Sequence, residues 1–429
     1  MLRPLIVLAS LLAFSNAYKI LVVFPFPARS HSILGNGVVD ALLKGNHEIT
    51  HVTAFPRKKN SPNLREIDVS KNLVLIPDTM RMVVDALLRN TNFDIDISEF
   101  VVITTKMISQ TIENPAVQEL FNNPNEKFDA IVIEWFFNDA LSGLSAIFKC
   151  PYIWVSSVDP HWRVLALVDE MPSPTYTPDM TSTSVPPFNF MQRAQELMMQ
   201  VMGLGLNYFV INNLQLNAYQ NLLVPFIEKR GYKAPSLNEV LYNSSLLLSN
   251  SHPSMGTALS LPQNVKAVGG YHIGRDVKPL PDDLKKTLDN SKDGLIFFSL
   301  GSNVKSAYLP DKVKRELLKV FGGLKQTVLW KFEEELPDTP PNVHIMKWAP
   351  QTSILAHPNC IIFITHGGLL STTEAVHFGK AIIAIPIYAD QPTNSKRAVS
   401  HGFALQVELT MNLANDLKVA LEEMISNPM

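Results

Sequence analysis

The chain has 429 residues, 46 % of them hydrophobic, with 37 Lys and Arg set against 39 Asp and Glu. It is longer than the ~250–300 residues at which single hydrophobic cores stop growing, so two domains are expected. The charges nearly cancel and no long run of one sign occurs, which excludes an extended phosphate-binding surface for nucleic acid and leaves a small molecule as the expected partner.

Met1-Leu2-Arg3, the apolar run Leu5 to Phe14 and the small residues Ser15-Asn16-Ala17 read as a secretory signal over residues 1–17, with Tyr18 opening the mature chain. Only Cys150 and Cys360 are present, each beside an apolar strand-like run in a different half, so buried thiols are expected rather than a bridge. Asn243-Ser244-Ser245 is a glycosylation acceptor compatible with a lumenal face.

Short apolar runs alternate with helix-like stretches, the pattern of parallel sheets with helical crossovers. Lys19–Phe24, Ile49–Thr53, Asp129–Ile133 and Tyr152–Val155 read as strands of a first sheet. His31 follows the first of these, where a neutral imidazole suits a general base, although it is one of eleven histidines. Gly35-Asn36-Gly37 has no third glycine and comes too late after the strand for a dinucleotide turn. Asp94-Ile95-Asp96 has the letters of a metal-binding D-x-D, but Asn90-Thr91-Asn92 precedes it instead of an apolar strand, so it reads as a surface segment and no metal is expected. Met171 to Phe190, rich in Pro, Ser and Thr, reads as a long loop over a pocket. Leu197 to Ile211 is apolar but shorter than the ~18–20 residues of a membrane span, which leaves a core helix or one lying on a membrane surface; it lacks the Lys and Arg of a surface-bound helix, so the core helix is preferred.

Gly269-Gly270 and Lys278-Pro279-Leu280-Pro281-Asp282-Asp283 break both patterns and set the boundaries: an N-terminal domain over residues 18–275, a linker over 276–284 and a C-terminal domain over 285–429. The second sheet is expected from Leu295–Ser299, Thr327–Trp330, Val343–Met346, Ile361–Thr365 and Ala381–Ile385.

Within that half, an apolar strand ends in His366-Gly367-Gly368 and opens a helix through Leu369-Leu370-Ser371-Thr372-Thr373-Glu374. Free N–H groups and the positive end of a helix dipole suit a pyrophosphate, with His366 and Ser371 placed for further hydrogen bonds. Glu374 suits a ribose diol, and Trp348 presents a flat face to a nucleobase. Asp390-Gln391 follows the strand Ala381–Ile385, and an acid beside an amide suits sugar hydroxyls.

The run W-A-P-Q from Trp348 to Gln351, then H-G-G-L-L-S-T-T-E-A and D-Q, resembles the signature of the UDP-glycosyltransferases, which include the UDP-glucuronosyltransferases and the plant and invertebrate UDP-glucosyltransferases. The resemblance implies an α/β, GT-B architecture, two Rossmann-like domains with parallel sheets facing across a cleft. It implies a donor site of Trp348, Ala349 and Gln351 on the uridine, His366, Gly368 and Ser371 on the diphosphate, Glu374 on the ribose, and Asp390 and Gln391 on the transferred sugar. Ser302 would lie near the second phosphate. Leu370 departs from the Asn of many members, as invertebrate members often do.

The resemblance also makes His31 the base. Such a histidine needs an orienting carboxylate; Glu134, following Asp129–Ile133, stands where the family usually has Asp and is preferred to Asp139. The implied reaction needs no prosthetic group: a UDP-sugar, UDP-glucose before UDP-glucuronate, gives its sugar to a hydroxyl of a small lipophilic acceptor with inversion, in the lumen of the endoplasmic reticulum. Members continue past the point where this sequence stops at Met429, into a further helical segment, a transmembrane helix and a basic tail. The expectation is therefore a C-terminally truncated chain, with the family's membrane association but no anchor of its own, and with homo- or hetero-oligomers possible. A non-catalytic UDP-sugar binder or regulatory partner of full-length enzymes is the second reading; a sugar-nucleotide epimerase is the third.

Overall fold

The structure is a computed structural model that describes residues 17–57, 61–76, 80–89, 91, 97–168, 173–180, 182–256, 259, 261–274 and 277–427. Residues 1–16 of the signal, and Asp94-Ile95-Asp96, lie outside the described residues.

Two all-parallel sheets carry the fold. The first has seven strands: β1 (Lys19–Phe24), β2 (Glu48–Thr53), β3 (Leu64–Asp68), β4 (Ala130–Trp135), β5 (Tyr152–Ser156), β6 (Leu246–Ser249) and β7 (Val265–Ala267). The second has six: β8 (Leu295–Ser299), β9 (Thr327–Lys331), β10 (Val343–Met346), β11 (Cys360–Thr365), β12 (Ala381–Ala384) and β13 (Ala404–Gln406). Their orders are β3-β2-β1-β4-β5-β6-β7 and β10-β9-β8-β11-β12-β13. Each sheet therefore grows outward in both directions from a central pair, β1 beside β4 and β8 beside β11, where the strand order reverses. At such a switch point the crossover helices leave to opposite faces and open a crevice at the carboxyl ends of the strands.

The central strands are apolar throughout because helices cover both faces. β8 is buried along its whole length, and β1 and β4 along all but their first residue. Covered strands of this kind are the ones the sequence marks, together with the edge strand β10. The edge and near-edge strands β3, β6, β7 and β13 are short or carry polar residues and are absent from the sequence expectation. β4 runs on through Glu134 to Trp135 instead of stopping at Ile133.

The helix Asp282–Asn290 packs Leu284 and Leu288 under the second sheet, against Leu295, Phe297 and Phe363. A crossing element comes from the other half: the helix Met80–Leu88 places Val83, Val84 and Leu88 in the same apolar cluster as Leu300, Val304 and Leu309.

The expected core helix is not one. Phe190–Leu206 is a helix, continued by the turn Asn207–Ile211, but Leu197, Met198, Val201, Met202, Tyr208 and Phe209 are exposed. Its buried residues are Glu196, Gln200 and Ile211. Apolar periodicity finds the helix but does not tell which face turns inward when polar residues on the other face find partners. Cys150 and Cys360 are free, and burial raises their thiols to about 11 and about 12.

Candidate active site

The two switch points face one another across the interdomain cleft. In the first sheet, Ala28 ends the loop after β1 in an extended conformation and the helix Arg29–Lys44 starts at once, which puts His31 in its first turn. Gly35 lets that helix settle on β1: a Cβ there would come within 2.8 Å of the Phe24 ring. β4 lies alongside β1, with Val23 opposite Ile133, so the next residue of β4, Glu134, comes level with the strand end that leads to His31.

His31 Nδ1 is 2.5 Å from Glu134 Oε1. The carboxylate fixes the ring's tautomer, with hydrogen on Nδ1 and the lone pair on Nε2. Phe26 and Phe136 flank the imidazole at 4.4 and 4.5 Å between ring centroids, which fixes its plane. The Ser157 hydroxyl donates to the same Glu134 oxygen at 2.5 Å. Glu134 Oε2 is buried without a hydrogen-bond partner among the described residues, as is the hydroxyl of Tyr271, whose phenol is pushed up by burial and by the nearby Glu134 charge.

In the second sheet, β11 ends at Thr365 and the helix Leu369–His377 begins after Gly368, whose extended backbone caps it with no side-chain hydrogen bond to the first turn. Those N–H groups are the free donors an anion needs. The His366 ring lies between two glycines: a Cβ at Gly301 or at Gly368 would come within 2.5 Å of it. Desolvation there, followed by the Lys331 charge, lowers the His366 pKa to about 4. The ring is thus a neutral hydrogen-bonding group near pH 7, not a cation. Gly367 has φ +78°, and a Cβ there would collide with Ser395.

Around this turn the expected donor residues gather, with differences in detail. Gln351 opens the helix Gln351–Leu355, and its Nε2 donates to Ser371 Oγ at 3.0 Å and to Glu374 Oε2 at 2.7 Å. Ala349 is buried beside them. Trp348 is 56 % exposed, and the Arg29 guanidinium from the other domain lies 5.2 Å from its ring centre, with Phe55 at the same distance. Ser302 is exposed on the loop after β8. Asp390 is held by Asn394 Nδ2 at 2.8 Å; burial raises its carboxyl above the usual range and Asp159 adds to the rise. Gln391 is buried, with its side-chain oxygen taken by the N–H groups of Ile387 and Tyr388 at 3.0 and 3.2 Å, so its NH₂ is the group left for a ligand.

Several residues at the cleft carry no sequence signal. Arg397 pairs with Asp159, and Thr393 donates to the carbonyl of Ser182, both across the domains. Ser182 belongs to the proline-rich loop, whose described part is anchored from behind: the Ser182 hydroxyl and the Asp179 N–H both donate to Glu196, the latter at 2.8 Å. A small cavity between the domains is lined by His161, Asp159 and Asp179 on one side and by Asp390, Asn394 and Arg397 on the other. Ser157 was open to inference from its place after β5; Arg29, Arg397 and His272, whose Nε2 lies 3.4 Å from Glu374 Oε1, were not, because their partners lie in the other domain.

Comparison with known proteins identifies the family. The family model described as "UDP-glucoronosyl and UDP-glucosyl transferase" matches residues 19–429. UDP-glucosyltransferase 2 of Dactylopius coccus is 32 % identical over 409 residues, covering 93 % of this chain and 75 % of that protein. The ecdysteroid UDP-glucosyltransferase of Spodoptera littoralis nuclear polyhedrosis virus is 29 % identical over 429 residues, covering 94 % and 80 %. Among solved structures, a Polygonum tinctorium UDP-glucosyltransferase capable of glucosylating indoxyl superposes with a TM-score of 0.59 at 15 % identity, covering 96 % of this chain and 90 % of that one. The fold is that of the GT-B glycosyltransferases.

Proposed function

Because this chain belongs to the UDP-glucuronosyl and UDP-glucosyl transferase family and is a UDP-glycosyltransferase, we propose that it moves a hexose, glucose before glucuronic acid, from a UDP-sugar to a hydroxyl of a small lipophilic acceptor, with His31 as the general base. The observation that carries this reading is the 2.5 Å contact of His31 Nδ1 with Glu134, which leaves Nε2 as the proton acceptor.

In this reading His31 Nε2 takes the acceptor's hydroxyl proton as that oxygen attacks the anomeric carbon. The bond from the anomeric carbon to the β-phosphate oxygen breaks and UDP leaves with the electron pair. Glu134 stabilises the imidazolium, and the first-turn N–H groups after Gly368, with His366, take up the charge on the diphosphate. A single displacement inverts the anomeric centre. The uridine lies by Trp348, Ala349 and Gln351, its ribose on Glu374, the diphosphate on His366, Gly368 and Ser371 with its second phosphate near Ser302, and the sugar by Asp390 and Gln391. The N-terminal domain, residues 18–275, takes the acceptor and residues 285–429 take the donor. The glucose preference is supported by the glucosyltransferase names of the relatives in Dactylopius and in the virus.

The test is product formation by mass spectrometry, with UDP-glucose or UDP-glucuronate and a panel of phenols and lipophilic alcohols. A β-glycoside formed by the parent chain and lost in His31→Ala supports the proposal. UDP binding with no product from any pair would favour a non-catalytic binder instead.

A further inference from the structure

Two buried oxygens at the carboxyl end of the first sheet lack hydrogen-bond partners among the described residues: Glu134 Oε2 and the hydroxyl of Tyr271. Buried polar groups are nearly always paired, so each exception calls for a physical reason, a catalytic role among them. Glu134 is loaded on one side only. Its Oε1 meets both His31 Nδ1 and the Ser157 hydroxyl at 2.5 Å, while Oε2 accepts nothing.

The strands put Tyr271 on the same side of the sheet as this carboxylate. Side chains alternate along β4: Ile131, Ile133 and Trp135 belong to the apolar cluster on one face and Val132 to the cluster on the other. Glu134, two residues beyond Val132, shares the Val132 face, and the register sets it opposite Val155 of that same cluster. Tyr271 packs against this cluster, together with Val22 and Phe24 of β1 and Leu34 of the helix Arg29–Lys44. Its ring fits because Gly37 has no side chain: a Cβ there would come within 3.0 Å of the ring and of the His272 Cα. Burial, with the Glu134 charge nearby, holds the phenol proton more firmly than usual, so the hydroxyl is a lasting donor.

We propose that Tyr271 is a positioning residue for the general base: its hydroxyl donates to Glu134 Oε2, directly or through one bound water, and so fixes the carboxylate that orients His31. This rests on the reading of His31 as the base, and it ties that base to the donor half. The next residue, His272, lies 3.4 Å from Glu374, and Leu370 of the donor helix packs in the same cluster as Tyr271. Contacts with the second domain therefore hold the segment that carries the phenol. Other charged groups around the pair are engaged elsewhere. Asp390, which feels the His31 charge across the cleft, is held by Asn394. Asp139 accepts from Trp135 Nε1 at 2.8 Å and lies 3.7 Å from Arg163, on the opposite face of β4, and Arg29 turns to Phe55 and Trp348.

Tyr271→Phe removes one oxygen and keeps the ring. With that donor gone, the His31–Glu134 pair takes up a proton more readily. The acidic limb of the turnover–pH profile should therefore move up by about one pH unit, and turnover at the optimum should fall about tenfold, with donor KM and UDP affinity unchanged. NMR titration of protein with isotope-labelled histidines, the His31 signal being identified by its loss in His31→Ala, should show the same upward movement without any need for turnover. A phenol that only packs would alter the melting temperature and leave both pH readouts in place. Parent-like turnover with an unmoved profile in Tyr271→Phe, or an unmoved His31 titration, overturns the proposal and leaves His31 as the base. Full activity in His31→Ala removes the base itself, and this proposal with it.

Discussion

His272 Nε2 stands 3.4 Å from Glu374 Oε1, a contact that joins the segment after the first sheet to the helix that follows Gly368 in the second. The other Glu374 oxygen accepts from Gln351, so the carboxylate proposed to bind ribose is held from both domains. His272→Phe is expected to weaken UDP binding by roughly three- to tenfold, because the carboxylate then loses its neighbour from the first domain. Calorimetry with UDP checks this, and an unchanged affinity would remove His272 from the donor site.

His31→Ala should lower turnover by about 10²- to 10⁴-fold with UDP affinity unchanged, the range for loss of a general base. Glu134→Gln should lower turnover too, because an amide cannot stabilise the imidazolium. Glu134→Asp, one methylene shorter, should fall less than Glu134→Gln. Turnover of Glu134→Gln equal to the parent's would show that the carboxylate does not support His31.

Gly301→Ala and Gly368→Ala each drive a methyl into the His366 ring, at 2.5 Å in both cases. Gly301 also has φ +84°, where an L residue costs about 1–2 kcal/mol. Both variants are expected to lose UDP affinity by about tenfold or more, with Gly301→Ala also lowering the melting temperature. A Gly368→Ala protein that binds UDP normally would argue against the turn as the diphosphate site.

Arg397→Ala leaves Asp159 uncompensated close to Asp390, across the domain boundary. Acceptor KM should rise and turnover fall. The double variant Asp159→Ala/Arg397→Ala should recover part of the loss, with a coupling of about 1 kcal/mol or more, because neither charge is then stranded. Simple additivity would show that the pair does not couple the domains.

Acid stability follows from two histidines. His161 and His366 are lowered to about 4 by desolvation, against 6.5 ordinarily. As pH falls below 6.5 the unfolded chain takes up these protons before the folded one does, so stability is full above pH 6.5 and declines toward pH 4. For His161, which is 4 % exposed, the loss between pH 7 and pH 5 is about 2 kcal/mol, and His366 acts in the same direction. Urea midpoints at the two pH values should show a smaller difference in His161→Phe than in the parent; equal differences would mean that His161 is not buried neutral.

The sequence by itself determined the parallel-sheet character of both halves, because central strands covered on both faces must be continuously apolar, as β8 is from Leu295 to Phe298. It also marked Trp348 to Gln391, where a turn, a helix start and the side chains proposed to meet the donor are close along the chain. The tertiary structure alone decided what depends on distant partners. Glu134 reaches His31 across 103 positions because β4 lies beside β1 at the switch point, an adjacency that no local pattern records. The contacts of His272 with Glu374, Arg397 with Asp159 and Arg29 with Trp348 exist only once the domains meet. The helix at Phe190 shows the limit most plainly: its periodicity is legible, but which face turns inward was set by Asp179, Ser182 and Ala140, whose hydrogen bonds bury Glu196 and Gln215 and leave the apolar side outside.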